Sequence, residues 1–264
     1  MPIKQVAVVT KFHIRDLRQA TRHIHRNTLK AVLSTLEKYG LDISLIDRVQ
    51  FKKTIRADLV ITVGGDGTVL AASHFVKQTP IFGINSAPMT STGYLCVANP
   101  KNFERLLKRV LAGKQKPLSI PRLEVFINRK RIPFLGLNDL LFACRLQGET
   151  ARYTLQIGHR REFQKSSGIW VATGAGSTAA ILSAGGKPFS MTSAKLQYRV
   201  REPFQYKIRY RLVKGFLNAG QKMTILPDMS HGMIFIDGGK IHYHVPKHAR
   251  VTVRGGLRPL KLFL

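Results

Sequence analysis

Apolar and polar residues alternate in two different ways along the chain, and the change falls near Gly113. Before it, short apolar runs of the kind that is buried in parallel sheets alternate with amphipathic stretches of helical period. Strands are predicted at residues 6–9, 42–46, 59–63 and 81–84, and helices at about 27–39, 68–77 and 100–112. This order predicts a doubly wound α/β domain, with right-handed crossovers that place helices on both faces of the sheet.

After Gly113 the segments are short and alternating, and turn-forming residues separate them. Strands are predicted at residues 123–127, 140–144, 153–157, 168–172, 197–200, 223–226 and 233–236. One helix, at about 177–183, is expected to interrupt them and to end at Gly185-Gly186. The second part of the chain is therefore predicted to be rich in β-structure.

The predicted organisation has three segments. Residues 1–97 form the N-terminal α/β domain, residues 98–245 form the β-rich domain, and residues 246–264 form a C-terminal segment that returns to the N-terminal domain. The return is inferred from the largely apolar tail, since apolar residues need a packing partner away from water.

Composition and charge narrow the class of protein. The chain has 264 residues, 44% of them hydrophobic, so it can bury a substantial core. Its 43 Lys and Arg residues against 14 Asp and Glu residues give a formal charge of +29. Such a charge predicts attraction to nucleotides, polyphosphate or nucleic acid without choosing among them. No zinc finger, basic-aromatic RNA-binding motif or clear helix-turn-helix accompanies it, so nucleic acid is not required as a partner.

The cysteines and the termini bear on the compartment. Cys96 and Cys144 are far apart and form no CxxC pair, which argues against a disulfide framework or a cysteine metal site. Both cysteines, Trp170 and the methionines are predicted to lie in the core. The N-terminus has the pattern of a strand rather than of a signal peptide, and no apolar run has the length of a membrane span. A cytoplasmic protein without a membrane partner is expected.

A glycine-rich loop with a central aspartate, Gly64-Gly65-Asp66-Gly67-Thr68, lies between a predicted strand and a predicted helix. Ligands of open α/β sheets bind at the carboxyl ends of the strands, where a helix N-terminus attracts phosphate and glycines let it come close. Phosphates repel a carboxylate, so the presence of Asp66 in this loop indicates that it takes part in the chemistry of the site. It could accept the proton of an attacking hydroxyl or hold Mg²⁺. Thr68 can cap the helix or bind a phosphate.

A second strand, loop and helix start occupies residues 166–179. Its glycines, Gly174 and Gly176, are expected to allow a ligand to come close to the backbone. Ser177 and Thr178 can cap the helix or bind a hydroxyl or phosphate group.

Together the two loops resemble the motifs of the NAD kinase family. The first loop is also similar to that of diacylglycerol and sphingosine kinases, whereas the run 173–179 followed by Gly185-Gly186 resembles the second block of NAD kinases. Asn138-Asp139 resembles the family's Asn-Glu pair, and Gly83-Ile84-Asn85 resembles its strand-end motif. The four blocks stand in the family's order over residues 58–186.

This resemblance implies a kinase that phosphorylates the 2′-hydroxyl of the adenosine ribose of NAD, with ATP or polyphosphate as donor and Mg²⁺ as cofactor. Asp66 would be the catalytic base, and no metal site built from protein side chains is expected. The residues implied in binding NAD or phosphate are Gly64, Gly65, Gly67, Thr68, Asn85, Asn138, Asp139, Lys165, Ser167, Thr173, Ser177, Thr178 and Ala179. Residues 85–95 and 164–168 are most similar to the mitochondrial-type branch, whose members are homodimers, so a homodimer is implied.

Three residues depart from the family's pattern. Asp139 stands in place of Glu, Ser167 in place of an acidic residue, and Ala180 in place of Tyr. These changes bear on the pose of the substrate and on the choice between NAD and NADH, and leave the class of reaction unchanged. Three alternatives stay open: a lipid kinase that shares the first loop, a non-catalytic nucleotide-binding protein of the same fold, and a nucleic-acid-binding protein, which would explain the charge of +29 most directly.

Several weaker features can be explained without a functional role. His13, His23 and His25 are expected in a basic, mobile N-terminal segment, and His242 and His244 on a solvated strand face without a third metal ligand. Asp237 fits a hairpin turn as well as it fits the family's late Asp-Gly. The alternating basic and apolar run 199–214 is either a solvated strand face or a docking site for polyphosphate or RNA.

Overall fold

The computed structural model describes residues 3–12, 19–50, 53–146, 148–206, 208–256 and 258–264, with the backbone alone for Gln19 and Ala20. His13 lies outside these residues. The chain forms two compact units, one of residues 1–119 with 260–264 and one of residues 120–259. No helix in the described part of the chain is long and apolar enough to cross a membrane.

The first unit contains a six-stranded sheet in the order β2-β1-β3-β4-β18-β5. Its strands are β1 (Gln5–Thr10), β2 (Asp42–Asp47), β3 (Leu59–Gly64), β4 (Ile81–Asn85), β5 (Leu118–Ile120) and β18 (Leu260–Phe263). Its helices are α1 (Gln19–Lys38), α2 (Asp66–Ser73) and α3 (Phe103–Leu111). The pairs of β1 with β2 and β3, of β3 with β4, and of β4 with β18 are all parallel.

Helices cover both faces of this sheet, as the apolar pattern predicts. The face that carries Val8 and Ile61 packs with Leu36 of α1 and Leu107 of α3 in one core cluster. Val69 of α2 is also fully buried. The α/β class of the first unit is confirmed.

The second unit is a pair of six-stranded antiparallel sheets, in the orders β10-β9-β14-β17-β6-β7 and β13-β12-β11-β8-β15-β16. The strands of the first sheet are β6 (Leu123–Ile127), β7 (Lys130–Arg131), β9 (Ala151–Ile157), β10 (Arg160–Ser166), β14 (Lys222–Pro227) and β17 (Val251–Gly255). Those of the second are β8 (Asp139–Cys144), β11 (Gly168–Ala172), β12 (Leu196–Arg201), β13 (Lys214–Leu217), β15 (Gly232–Ile236) and β16 (Ile241–Val245). Alternate residues from both sheets, such as Leu155 and Ile234, share one core cluster. The prediction of a β-rich second part is confirmed.

The structure differs from the sequence-based prediction at several places. The helix predicted at 177–183 is a 3₁₀ turn (Ala175–Thr178) followed by the short helix α4 (Ala180–Ser183), because the backbone of Ala179 leaves the helical region at φ −92° and ψ −141°. Helix α1 begins eight residues earlier than predicted and includes His25, which is buried rather than part of a mobile segment. The predicted boundary at 97 is replaced by one at Ser119, since α3 packs in the first core.

Some predicted core residues are not in the core. Met89 is 91% exposed, and Cys96 and Trp170 are half-buried, whereas Cys144 is buried. Residue type alone did not predict these positions, because a large side chain such as Trp is rarely fully buried and single exposed apolar residues are common on protein surfaces.

Strand β18 supplies a stability prediction for the first unit. Leu262 is fully buried beside β4, where it pairs with Ile81, whereas Leu264 is 37% exposed. We expect Leu262→Ala to lower the free energy of unfolding by about 2–5 kcal/mol, because it removes buried apolar atoms and leaves a cavity. Leu264→Ala is the matched control and should change it by less than about 0.5 kcal/mol. Urea unfolding followed by circular dichroism measures both; equal effects would contradict the packed position of β18.

Candidate functional site

A cleft of about 210 Å³ lies where the strands of the first unit end. Lys11 follows β1, Arg48 follows β2, and Gly65 follows β3. Asn85 ends β4, and its neighbours continue the wall. The residues that line the cleft are Lys11, Thr21, His25, Arg48, Gly64, Gly65, Thr68, Asn85, Ser86, Ala87, Thr90 and Ser91. Two cations and several hydroxyl and amide groups thus surround a space of the size of a few phosphate groups.

Arg48 is the best-defined cation of the cleft. Its Nη1 donates to the Thr68 hydroxyl at 3.3 Å, and its Nε is buried without a partner among the described residues. Burial lowers the pKa of this guanidinium, while Asp47 opposes that effect. A partly dehydrated cation with an unused donor favours an incoming anion.

The side chain of Thr68 packs against the backbone of the glycine loop. A side chain at Gly64 would place its Cβ at 2.2 Å from the Thr68 hydroxyl oxygen, so only glycine fits. Helix α2 starts at Asp66, with Gly65 as its N-cap and no capping side chain. Of the two alternatives for Thr68, the helix cap is therefore wrong, because the helix begins two residues earlier and the hydroxyl accepts a bond from Arg48; the phosphate contact stays a prediction.

Asp66 is half-buried and firmly oriented. Its two carboxylate oxygens accept the backbone N–H groups of Tyr94 at 2.9 Å and Leu95 at 2.7 Å. The strand that carries Gly83 makes this possible, because a Cβ there would lie at 2.9 Å from the Leu95 carbonyl oxygen and would push the segment away. Each carboxylate oxygen keeps a second acceptor position for a further hydrogen bond.

Asn85 organises the loop that follows β4. Its side-chain oxygen accepts bonds from the backbone of Ala87 at 3.2 Å and the hydroxyl of Ser91 at 3.0 Å, and its amide nitrogen donates to the Ser91 carbonyl at 3.0 Å. A Cβ at Gly93 would lie at 2.3 Å from the same amide nitrogen. The side chain of Asn85 therefore shapes the wall of the cleft, and its polar atoms are already engaged.

In the second unit, Asp237 fixes the segment that precedes β8. Its carboxylate accepts the backbone N–H groups of Leu137 at 2.7 Å, Asn138 at 2.7 Å and Asp139 at 3.0 Å. Its own backbone lies in the left-handed region, at φ 49°, in the turn between β15 and β16. Asp237 is thus a hairpin residue that also orients Asn138 and Asp139, a role that turn chemistry alone did not reveal.

The predicted ligands Asn138 and Asp139 are both poised for a polar partner. The side-chain oxygen of Asn138 is buried and has no partner among the described residues. Asp139 is 5% exposed, and burial, followed by the nearby charge of Asp237, raises the pKa of its carboxyl group to about 7. A carboxyl group that titrates near neutrality can either donate or accept a hydrogen bond.

The second glycine loop packs against this segment by its backbone. Thr173 donates its hydroxyl to the Leu137 carbonyl, and its N–H donates to the Asn138 carbonyl at 2.9 Å. A Cβ at Gly176 would lie at 2.1 Å from that Asn138 oxygen, and one at Gly174 would lie at 2.0 Å from the carbonyl oxygen of Ser190. These glycines admit neighbouring backbone rather than a ligand, which corrects the prediction made for them.

The remaining predicted ligands differ in exposure. Ser177 is fully buried, and its hydroxyl donates to the Gly174 carbonyl at 2.8 Å and accepts the Phe189 N–H at 3.1 Å, so it already has protein partners. Thr178 is exposed and Ala179 is half-buried. Lys165 and Ser167, near the end of β10, are half-buried, and their backbone N–H groups donate to the Tyr210 hydroxyl at 3.1 Å and the Arg201 carbonyl at 3.0 Å.

Sequence reasoning missed Lys11, His25, Arg48 and Ser86. All but His25 directly follow a predicted parallel strand or lie within two residues of its end, so the strand-end rule could have found them. His25 enters from α1, and no local pattern marks it. His242 and His244 bond to the carbonyl oxygens of Gly239 and Ser230, and no group of three or more metal-ligating side chains occurs among the described residues.

The raised pKa of Asp139 yields a prediction for the pH dependence of stability. Between pH 4 and 7 the folded protein keeps a proton on this carboxyl group that the unfolded chain has lost, so its contribution to stability falls as the pH rises through this window. We expect Asp139→Asn to become more stable relative to the wild type as the pH rises from about 5 to 8. Asp228→Asn, which alters an exposed carboxylate, is the control and should follow the wild type. Urea unfolding at each pH tests this, and parallel curves for the wild type and Asp139→Asn would count against the buried, protonated carboxyl group.

Comparison with known proteins connects these features to a family. Residues 6–115 match the family model described as the ATP-NAD kinase N-terminal domain. A probable NADH kinase of Oryza sativa subsp. japonica is 32% identical over 265 residues, which cover 91% of this chain and 82% of the relative. The NADH kinase of Arabidopsis thaliana is 32% identical over 272 residues, covering 91% and 84%. The human NAD kinase 2, mitochondrial, is 26% identical over 203 residues, covering 60% and 46%.

Solved structures share the fold. An NAD kinase from Archaeoglobus fulgidus, in complex with ATP, superposes with a TM-score of 0.76 at 22% identity, over 98% of this chain and 93% of that chain. Yeast NADH kinase, complexed with NADH, gives a TM-score of 0.79 at 18% identity, over 98% and 83%. With the length and identity of the plant relatives, these observations show that the chain belongs to the NAD kinase family.

Proposed function

We propose that this protein is a kinase that transfers a phosphoryl group from ATP to the 2′-hydroxyl of the adenosine ribose of NAD or NADH, giving NADP or NADPH. Family membership supports the class of reaction. One observation carries the assignment within the molecule: a carboxylate oriented by two backbone amides stands at the start of a helix whose loop borders a cationic cleft.

The cleft is proposed to hold phosphates of the donor. Lys11 and Arg48 supply positive charge, and Thr68, Ser86 and Thr90 supply hydroxyl groups. Arg48 would turn towards a phosphate oxygen either its Nε, which has no partner among the residues that the structure describes, or its Nη1, which now donates to Thr68. Positioning and charge neutralisation of this kind provide most of the rate enhancement in phosphoryl transfer.

Asp66 is proposed to accept the proton of the attacking ribose hydroxyl. Its bonds to Tyr94 and Leu95 fix the carboxylate in one orientation and still leave an acceptor position on each oxygen. A positioned base contributes about 10²–10⁴-fold to the rate.

The dinucleotide is proposed to contact Asn138 and Asp139 through its adenosine. The side-chain oxygen of Asn138, which has no partner in the described part of the chain, supports this, because a buried acceptor without a donor costs free energy that a ligand amine or hydroxyl would recover. Thr178, which is exposed, and Ala179, which is half-buried, complete the proposed contact set on the neighbouring loop, with Lys165 and Ser167 at the end of β10 as further candidates. Thr173, Gly176 and Ser177 act by shaping this loop.

Three finer points remain part of the proposal. Mg²⁺ is expected to arrive with the triphosphate of ATP, since it binds phosphate oxygens with few protein carboxylates and the described residues offer no cluster of three ligands. A homodimer and a cytoplasmic location are predictions from the sequence that await measurement. NADH is expected to be accepted as well as NAD, because both plant relatives that cover 91% of the chain are named NADH kinases or probable NADH kinases.

The lipid kinase and the non-catalytic nucleotide-binding protein predict different assay results. A lipid kinase is not favoured, because the plant relatives match over both units and bear the names of nucleotide kinases. A non-catalytic nucleotide-binding protein would bind NAD without forming NADP. Purified protein with Mg-ATP and NAD or NADH, followed by enzymatic detection of NADP or NADPH, separates these possibilities; binding without turnover would refute the proposed function.

Removing the proposed base should abolish most turnover. We expect Asp66→Asn to lower kcat by about 10²–10⁴-fold, because an amide cannot take up the ribose proton at neutral pH. Asp42→Asn, which alters an exposed carboxylate of the same unit, is the matched control and should keep wild-type activity. Circular dichroism verifies that both variants fold. Full activity of a folded Asp66→Asn protein would exclude this residue as the base.

Arg48 should act on the donor. We expect Arg48→Gln to raise the KM for ATP by roughly tenfold or more, in line with the loss of a charge-assisted hydrogen bond worth about 1.5–3 kcal/mol. Arg56→Gln, on an exposed arginine of the same unit, removes the same charge away from the cleft and should leave the KM unchanged. Steady-state kinetics with varied ATP decides the matter; an unchanged KM in Arg48→Gln would place the phosphates elsewhere.

A further inference from the structure

His25 links two strand ends at the wall of the cleft. The side chain is 5% exposed, and both of its ring nitrogens have partners. Nε2 lies 3.0 Å from the hydroxyl oxygen of Thr10, at the end of β1, and Nδ1 lies 2.8 Å from the hydroxyl oxygen of Ser86, just after β4. Together with Lys11 and Arg48, this histidine lines the space proposed for phosphates.

Counting protons allows the direction of these bonds to be assigned. The Thr10 hydroxyl has one proton, and we assign it to the bond with the Val63 carbonyl at 3.1 Å, because a carbonyl oxygen can only accept. Towards His25 the Thr10 oxygen is therefore an acceptor, and Nε2 is the donor. In a neutral imidazole Nδ1 must then be an acceptor, so the Ser86 hydroxyl donates to it.

The bond from the Ser86 hydroxyl to Nδ1 disfavours a phosphate next to Ser86. While Ser86 gives its only proton to His25, it can offer just its lone pairs to the cleft, and lone pairs repel phosphate oxygens. If Nδ1 carries a proton, that N–H donates to the Ser86 oxygen, and the Ser86 hydroxyl is released to donate to a phosphate.

The charges around His25 keep it neutral in the free protein. Burial lowers its pKa most, and the charges of Arg48 after β2 and Lys11 after β1 lower it further, while a bond to the backbone of Lys11 acts in the opposite direction. Thr10 and Ser86, which contact the ring from β1 and β4, are uncharged. Glu104 of α3 pairs with Lys38 at the far end of α1. An anion between Lys11 and Arg48 would offset their effect and raise the pKa of His25.

We propose that His25 is a positioning residue that takes up one proton from solvent when donor phosphates enter the cleft, and that this proton turns the Ser86 hydroxyl towards a phosphate oxygen. The inference rests on the proposed function only for the identity of the ligand as a polyphosphate. It makes phosphate affinity rise as the pH falls through the titration range of His25, by at most about tenfold per pH unit for one linked proton.

Inorganic triphosphate and the full chain test this without any turnover. Isothermal titration in two buffers of different ionisation enthalpy, at about pH 6.5, gives the number of protons taken up on binding. We expect His25→Gln to take up fewer protons than the wild type, because a glutamine amide can replace both hydrogen bonds but cannot titrate. His23→Gln, an exposed histidine two residues away, is the matched control and should keep the wild-type value. The triphosphate's own titration is common to all three proteins and cancels in the difference.

Ser86→Ala provides the second arm if His25→Gln fails to fold. The loss of the hydroxyl should weaken triphosphate binding at pH 6 more than at pH 8, because only protonated His25 releases that hydroxyl to the ligand. Equal proton uptake by wild type and folded His25→Gln, or an equal loss in Ser86→Ala at both pH values, would overturn the inference. Formation of NADP without this proton linkage would leave the proposed function standing, whereas proton-linked triphosphate binding without NADP formation would refute that function alone.

Discussion

The register of the parallel sheet is the constraint on which the cleft depends. Thr10 pairs with Asp47 on one side and with Val63 on the other, and Gly64 pairs with Asn85. The residues that follow these pairs therefore emerge in one row along the carboxyl edge. Because adjacent strands are about 4.8 Å apart, such a row brings two cations, a glycine loop and an amide within reach of one ligand. A slip of one residue in any of these pairs would send the side chains to the opposite face.

The same edge explains how a carboxylate can be tolerated beside groups that are proposed to bind phosphate. The carboxylate of Asp66 accepts hydrogen bonds from two peptide N–H groups, those of residues 94 and 95. Those amides are in place because Gly83 lets their segment lie directly against β4. A small residue in a strand interior thus determines the orientation of a side chain on the neighbouring loop.

The sequence allowed the fold to be predicted wherever burial imposed a clear period. The strands around Val8, Ile61 and Ile169 were foreseen because their apolar residues face a core. Strand β10 was missed because its charged residues obscure the alternation of polar and apolar positions. One of them, Glu162, accepts the backbone N–H groups of Arg211 and Leu212 and holds these two residues in place. The run 199–214 is not one continuous strand: it contains the end of β12, a connecting segment and the start of β13.

The location of the candidate site could be predicted, because the motif glycines and the aspartate mark it. The roles of individual residues could not. Gly174 and Gly176 were expected to face a ligand, but they face backbone oxygens, and Ser177 turns inward. Nothing local distinguishes these cases, because a glycine that admits a phosphate and one that admits a carbonyl have the same requirement for missing side-chain atoms. Lys11 and Arg48 depend on register, which only long-range pairing sets.

Strand β18 has a consequence for the order of events during synthesis. It occupies an interior place in the first sheet, between β4 and β5, yet it is built from residues 260–263. The N-terminal unit therefore cannot complete its hydrogen-bonded ladder on the ribosome until the whole β-rich unit has been translated. Until then Ile81 and Phe82 of β4 lack their partners and β5 lacks its neighbour β18, so strand edges that are paired in the folded protein are open to pairing with other chains.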